Sequence, residues 1–182
     1  ENEYRIKVRI PIISNEEDGI WAQQAKIYAG NDYGICFSPE IGDEVVVGFL
    51  NEDPRKAVVL GVLHSSAKAS PLSLKDDNFQ KGIISRNGLK VIWDDEKKII
   101  TISTPGGHQI KLDDDGKTVS IEDSNQNKIE MSDQGLTLRS AKDLKLSAQK
   151  NIELEGLNIQ SKASGKFTAE GNGGAEVKTS SI

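Results

Sequence analysis

The sequence contains a single cysteine, Cys36, among its 182 residues. One thiol cannot form an intrachain disulfide, and it cannot supply a zinc site by itself. Because Cys36 stands between Ile35 and Phe37, we expect it to be a buried structural thiol. The sequence therefore offers no covalent cross-link to stabilise the fold.

Aromatic residues and long apolar runs are also scarce. Phe, Trp and Tyr make up 5% of the chain, and the mean hydropathy is −0.47. No apolar run is long enough to predict a membrane-spanning helix. The aromatic residues of the first third are scattered, so we expect them to pack in a core rather than to stack on nucleic-acid bases: Tyr4, Trp21, Tyr28, Tyr33, Phe37 and Phe49.

An excess of positive charge is absent as well. The formal net charge is −5, with 8 basic and 11 acidic residues in positions 1–75 and 15 and 17 in the remainder. Proteins that bind nucleic acid present a basic surface to the phosphates. We therefore expect no nucleic-acid partner.

What the sequence does have is apolar residues spaced two apart, which places both side chains on one face of a strand. From residue 136 onward such pairs recur about every eight residues, a spacing that does not fit 3.6 residues per helical turn. Polar residues separate the pairs. The pattern predicts short strands stacked as a β-solenoid or prism, with these apolar positions: Leu136–Leu138, Leu144–Leu146, Ile152–Leu154, Leu157–Ile159, Phe167 and Val177.

So narrow an apolar stripe leaves a single sheet exposed on one face, which a soluble monomer rarely tolerates. Either one chain coils around its own axis or three chains bring their apolar faces together. The short repeat favours three chains. An ordinary antiparallel sandwich is the remaining alternative.

Residues 81–131 contain similar pairs at a wider spacing of roughly nine to eleven residues. Asp-, Asn- and Gly-rich turns at 94–97, 113–117 and 125–127 separate them, which is typical of antiparallel hairpins. We predict that an antiparallel meander extends to about residue 131 and leads into the eight-residue repeats from about residue 136.

The first 64 residues read as a small barrel. Alternation over 4–10, the runs 20–27 and 35–37, and the hydrophobic stretches 45–50 and 57–63 predict about five strands with no helical period. A polar loop is expected at 14–19, and a linker at 65–80. The predicted organisation is therefore a barrel at 1–64, a linker at 65–80 and a β-helical or β-prism shaft at 81–182.

Several motifs stand out in this first region: Tyr-Arg-Ile-Lys-Val-Arg-Ile-Pro (4–11), Trp21, Tyr-Ala-Gly-Asn-Asp-Tyr-Gly (28–34), Pro-Glu-Ile-Gly-Asp-Glu-Val-Val-Val-Gly-Phe (39–49) and Asn-Glu-Asp-Pro-Arg-Lys-Ala-Val-Val-Leu-Gly (51–61). Together they resemble motifs of the VgrG and phage tail-spike (baseplate protein V) family of contractile injection systems. The order of barrel, short linker and octad repeat matches that family along the whole chain.

The resemblance implies an all-β protein with an oligosaccharide/oligonucleotide-binding (OB) type barrel and a trimeric, intertwined β-helix or β-prism needle. It implies a homotrimeric, membrane-puncturing central spike that is not an enzyme and has no cofactor. Implied partners are tube, hub and baseplate proteins on the N-terminal side, a PAAR-like tip protein or effector at the C-terminal end, and transiently the target membrane. Such a spike is assembled in the cytoplasm and ejected toward the target cell. The family's large hub domain and any lysozyme-like domain are absent from these residues.

In this reading the apolar pairs line the interior of the trimer. The predicted trimer-core residues are Leu89, Val91, Ile100, Ile102, Ile110, Leu112, Val119, Ile121, Ile129, Met131, Leu136, Leu138, Leu144, Leu146, Ile152, Leu154, Leu157, Ile159 and Phe167, together with Ile83.

Acidic turns and two histidines are the candidates for chemistry. The carboxylates at 94–96 and 113–115 could act in glycoside hydrolysis or bind calcium, but they stand beside lysines in turn sequences and are better explained as solvated turns. His64 has no acidic partner assignable from sequence. His108 shares a strand face with Ile110, so it either binds an ion on a trimer axis or forms an ordinary turn hydrogen bond. We predict no catalytic, cofactor-binding or metal residues; the rival hypothesis is a monomeric carbohydrate-binding or carbohydrate-active β-helix.

Overall fold

A computed structural model describes residues 3–11 and 19–178. It is all-β apart from one 3₁₀ turn, Leu50–Glu52, as the sequence predicted. No helix in these residues has the length and apolar character needed to cross a bilayer. The chain divides into two compact units, Glu1–Arg139 and Ser140–Ile182, which are described separately below. The loop predicted at 14–19 falls, except for its last residue, outside the described residues.

The strands of the first unit follow the apolar alternation closely. The last barrel strand, for example, occupies the hydrophobic run that the sequence predicted at 57–63. The strands are β1 Arg5–Val8, β2 Ile20–Gln24, β3 Ala29–Gly30, β4 Tyr33–Gly34, β5 Glu44–Phe49, β6 Ala57–Leu63, β7 Gln80–Ile84, β8 Lys90–Asp94, β9 Ile99–Ser103, β10 Gln109–Asp113, β11 Thr118–Glu122, β12 Lys128–Ser132 and β13 Gly135–Arg139.

Four of the N-terminal strands form a mixed sheet in the order β1-β2-β6-β5, and β3 pairs with β4 as a separate short hairpin. β2 and β6 run parallel, whereas the outer pairs are antiparallel. The ladder between β5 and β6 shifts between Val46 and Val47, as a β-bulge does when it bends a strand of a small barrel. The buried side chains form a small core of Val8, Ala22, Ala57 and Val59, which Ile6, Ile10, Ile20, Val45 and Val47 surround.

Cys36 is exposed, so the expectation of a buried thiol was wrong. The predicted core packing of the aromatic residues was also wrong: Tyr4 is 91% exposed and Phe37 is 64% exposed. The reason is local. β3 and β4 are strands of only two residues each, so their hairpin has too little sheet to cover its own side chains. Its Tyr28 and Tyr33 rings pack on each other, with their centroids 5.3 Å apart.

Two ion pairs fix the barrel loop at residues 39–43 to the segment that follows the barrel. The Lys68 ammonium donates to the Gly42 carbonyl at 2.6 Å and to the Asp43 carboxylate at 2.8 Å. The Arg86 guanidinium, in the turn after β7, donates to the Glu40 carboxylate at 3.1 Å. The hydrogen bond from Lys68 lowers the pKa of Asp43 from its ordinary value, which keeps the carboxylate charged at this junction.

The remaining seven strands form one antiparallel meander in which sequence order and spatial order coincide, β7 to β13. Every connection is a short turn, including Asp133–Gln134 between β12 and β13. Because that turn continues the hairpin pattern, Leu136 and Leu138 lie in β13 and pair with β12. The meander therefore extends to Arg139, past the predicted end near residue 131, and the first predicted octad pair belongs to it.

In the second unit, no residue from 140 to 178 is assigned to a strand. A tight turn closes at its C-terminal end, where the Gly174 amide donates to the Gly171 carbonyl at 3.1 Å. The eight-residue repeats thus do not form strands that pair within one chain, and the one-chain coil considered from sequence is not observed. A strand needs an edge to pair with, and the repeats find none in their own unit.

Candidate functional site

The β7–β13 sheet carries two continuous apolar rows on one face. In an antiparallel ladder, directly paired residues lie on the same face, so a row can be followed across the register from strand to strand. The first row is Ile83, Val91, Ile102, Ile110, Ile121, Ile129 and Leu138. The second row is Trp93, Ile100, Leu112, Val119, Met131 and Leu136.

These two rows, called the apolar face below, are not covered. Exposure of most of their side chains ranges from 36% at Ile100 to 69% at Leu136, and Val91, Trp93 and Val119 are half-buried. All four buried residues in the described part of the chain belong to the barrel. Full burial of one aliphatic side chain stabilises a fold by about 1.5–3 kcal/mol, so this sheet leaves much of its apolar stabilisation unused.

The opposite face of the same sheet is mostly polar, with Ile84, Ile92 and Ile99 as apolar exceptions on β7–β9. Residues such as Thr101, Lys111 and Ser120 alternate with the apolar rows, and Lys111 forms an ion pair with Asp113 at 2.7 Å. Lys128 and Glu130 pair in the same way on β12. The sheet is thus amphipathic, with a face suited to water and a face suited to burial.

The predicted interior residues fall into two groups. Those from Val91 to Leu138 lie in the two rows, and Leu89 directly precedes β8. The pattern-based set omits Trp93, although its spacing of two from Val91 was the available signal. Those of the second unit are not brought together by strand pairing, and all are exposed: Leu144, Leu146, Ile152, Leu154, Leu157, Ile159 and Phe167.

In the acidic turns, Asp carboxylates accept hydrogen bonds from backbone amides of the same turn. Asp113 accepts the Gly116 amide at 2.7 Å, and Asp94 accepts the Lys97 amide at 3.0 Å. The pKa of Asp113 is lowered by its hydrogen bond from Lys111 and then by that from Gly116. The pKa of Asp94 is lowered first by the Lys97 amide. A glycosidase acid needs a raised pKa, so these shifts have the wrong sign for that role.

The two histidines do not join an acidic cluster. His64 follows β6 and is exposed, and His108 is exposed in the turn before β10, where its carbonyl accepts the Thr104 amide at 3.0 Å. In residues 3–11 and 19–178, no three His, Cys, Asp or Glu side chains are arranged to hold a metal ion.

The barrel has a groove between β1 and β5 with mixed lining. Ile6, Val8 and Val45 contribute apolar surface, whereas Lys7 and Glu44 contribute opposite charges. A single-stranded nucleic-acid site would need a positively charged groove with aromatic platforms. Trp21 and Phe49 also line this groove, but its three acidic residues outnumber its two basic ones, so it lacks the positive charge.

Two segments of the chain match models of known protein families. Residues 1–64 match a family model described as the type VI secretion system/phage-baseplate injector OB domain. Residues 99–178 match the phage baseplate V C-terminal trimerisation domain. The two models occur in the same order as the barrel and the shaft segment. The chain belongs to the VgrG and phage baseplate V family.

Individual VgrG proteins are similar to part of this chain. The type VI secretion system spike protein VgrG3 of Vibrio cholerae serotype O1 is 35% identical over 80 residues, which is 42% of this chain and 8% of VgrG3. VgrG1a of Pseudomonas aeruginosa is 32% identical over 74 residues, covering 41% of this chain and 12% of VgrG1a. The actin cross-linking toxin VgrG1 of Vibrio cholerae is 32% identical over 76 residues, which is 40% of this chain and 7% of the toxin. The chain thus spans only about a tenth of the length of these relatives.

Proposed function

We propose that this chain forms part of a homotrimeric central spike of a contractile injection machine, such as a phage tail, a type VI secretion system or an extracellular injection particle. One observation supports this above all: the apolar face is uncovered in a single chain, and most of it lies in the segment that matches a trimerisation domain. Three copies that turn this face inward remove it from water. The role is structural, and the activity lies in shape and stiffness.

The second unit provides independent support for the same proposal. Its apolar pairs keep the two-residue spacing of strands, yet the single chain does not pair them. Strands from sister copies would satisfy both the backbone hydrogen bonds and the exposed aliphatic side chains. We therefore retain the intertwined needle over residues 140–178 as part of the proposal, with the predicted trimer-core residues of this segment facing its interior. In the preceding part of the shaft, the predicted trimer-core residues of the β7–β13 sheet would face the same trimer interior.

The partners and location follow from the proposed role. We infer that tube, hub and baseplate proteins bind on the barrel side, that a PAAR-like tip or effector binds at the C-terminal end, and that the spike meets the target membrane briefly during ejection. Assembly takes place in the producing cell before ejection. The names of the relatives, which include spike proteins and an actin cross-linking toxin, support a carrier of this kind.

Negative-stain electron microscopy combined with glycan binding separates this proposal from the carbohydrate-active alternative. The spike proposal predicts elongated particles with three-fold symmetry and no binding or hydrolysis of polysaccharides. Compact single-chain particles that bind or cleave a polysaccharide would contradict it and favour the rival function.

A further inference from the structure

Three turns of the chain contain an asparagine or aspartate followed directly by glycine: Asn87–Gly88, Asp115–Gly116 and Asn172–Gly173. A fourth such pair, at 18–19, begins outside the described residues. In this sequence the glycine amide nitrogen can attack the preceding side-chain carbonyl carbon, and glycine hinders the attack least because it has no Cβ. The Asn or Asp of each of the three pairs is exposed, so exposure does not distinguish them.

The glycine amide is hydrogen-bonded in two of the three pairs. The Gly88 amide donates to the Ser85 carbonyl at 2.9 Å. The Gly116 amide donates to the Asp113 carboxylate at 2.7 Å. An amide must give up such a bond before its nitrogen can attack a carbonyl carbon, so the fold protects both pairs.

The third pair, Asn172–Gly173, lies in the middle of a turn that leaves the Gly173 amide available. The turn is closed by the Gly174 amide, which donates to the Gly171 carbonyl at 3.1 Å, and the closing bond of a turn does not use the amides between its ends. Within residues 3–11 and 19–178, the Gly173 amide donates no hydrogen bond. A Cβ placed on Gly173 would have no atom within 4 Å, so a small ring has room to form there.

We propose that Asn172 is a site of spontaneous deamidation. The Gly173 amide nitrogen gives its proton to a base and forms a bond to Cγ of Asn172. The bond from Cγ to the side-chain nitrogen breaks, and that nitrogen leaves with a proton as ammonia. The resulting succinimide ring takes up one water molecule at either carbonyl and opens to aspartate or to isoaspartate. The reaction consumes one water, releases one ammonia and needs no oxidant or cofactor.

The modification changes both the charge and the backbone of this turn. Each event adds one carboxylate, so three associated copies would gain three at the same position. In the isoaspartate product the main chain runs through the Asn172 side chain and is one methylene longer, which alters the span that the Gly174–Gly171 hydrogen bond closes. The inference goes beyond the proposed spike and does not depend on it.

Asn87 provides an internal comparison, since it has the same chemistry in a protected turn. The full 182-residue chain is incubated in mildly alkaline buffer, and peptide mass spectrometry with enzymatic methylation of isoaspartate gives the rate at each asparagine. We expect Asn172 to react about fivefold faster than Asn87 or more, the factor that one backbone hydrogen bond is worth. In guanidinium chloride the two rates should become similar, because no fold then protects Asn87.

Two variants test the assigned atoms. Gly173→Ala should slow the reaction at Asn172, because its methyl group hinders the attack; the turn should tolerate it, since Gly173 does not adopt a positive φ and the site is open. Asn87→Gln should leave the Asn172 rate unchanged. A rate at Asn172 equal to or below that at Asn87 in the folded protein would overturn the inference. The mass by light scattering, measured on the same samples, tests the proposed trimer separately.

Discussion

Leu138 and Thr137 are neighbours in β13 that lie on opposite faces of the sheet, and both are exposed in the single chain. We predict that Leu138→Asp abolishes trimer formation, because it would bring three carboxylates together on the apolar face. Burying an ion costs on the order of several kcal/mol, and the paired neighbour on this face, Ile129, is apolar and cannot compensate the charge. Light scattering at equal concentration reports the loss as a fall to single-chain mass.

Thr137→Asp is the matched control, since it adds the same charge on the polar face. It should retain the trimer and its thermal midpoint within a few degrees. Equal behaviour of the two variants would show that the sheet does not bury its apolar face.

Leu146 and Lys145 offer the same contrast in the second unit, where both are exposed in the single chain. Leu146→Asp should prevent assembly and leave residues 140–178 open to proteolysis, whereas Lys145→Asp should do neither. A soluble Leu146→Asp trimer with normal heat resistance would contradict the inward assignment of Leu146.

Asp123 accepts the Asn125 and Asn127 amides in the turn between β11 and β12, so we expect this turn to be sensitive to acid. The side-chain hydrogen bond from Asn127, followed by the Asn127 amide, lowers its pKa below the ordinary value of 3.8. A carboxylate whose pKa is lower in the folded state stabilises the fold above its unfolded pKa, and this stability is lost as pH falls toward the folded pKa. We expect the thermal midpoint of the protein to decrease as the pH is lowered below about 4. Asp123→Asn should have a lower midpoint at pH 7 and a smaller change with acid; an unchanged acid response would contradict the assignment.

Sequence alone predicts which residues share a face but not whether that face is covered. The spacing of Ile110 and Leu112 correctly placed both on one side of a strand. Exposure depends on what packs against that side, and neither local alternation nor flanking residues report it. Cys36 shows this plainly, because its apolar neighbours suggested burial although the short hairpin beside it has nothing to cover it.

Among the elements, the segment between barrel and sheet is held by Lys68, which donates to the Gly42 carbonyl and the Asp43 carboxylate. We predict that Lys68→Ala frees this segment and speeds cleavage between residues 64 and 71 by a protease of broad specificity. Lys75→Ala, in the same segment but outside that contact, serves as the control. Equal cleavage rates in the two variants would show that Lys68 does not fix the junction.

Strand prediction succeeded where a strand finds its partner in the same chain. The run at 57–63 and the turns at 94–97 and 113–117 follow from alternation and from Asp and Gly chemistry. Strand prediction did not reproduce the structure of the eight-residue repeats, because this segment alone does not decide which strands pair. A periodic pattern specifies which side chains share a strand face. The neighbouring strand must then come from other copies of the chain.

At the scale of the whole molecule, the single chain is an amphipathic sheet joined to a barrel with a small core, followed by an unpaired apolar repeat. Burying the exposed rows of three chains against one another would supply stability that no single copy has. Association would then stabilise the fold by mass action, so the thermal midpoint should rise with protein concentration.

Light scattering of the purified 182-residue chain tests most directly whether sister copies cover the apolar face. The account predicts a mass of about 59 kDa, three times the 19.8 kDa of one chain, that persists on dilution into the low micromolar range. A mass of about 20 kDa in a folded, soluble sample would contradict it.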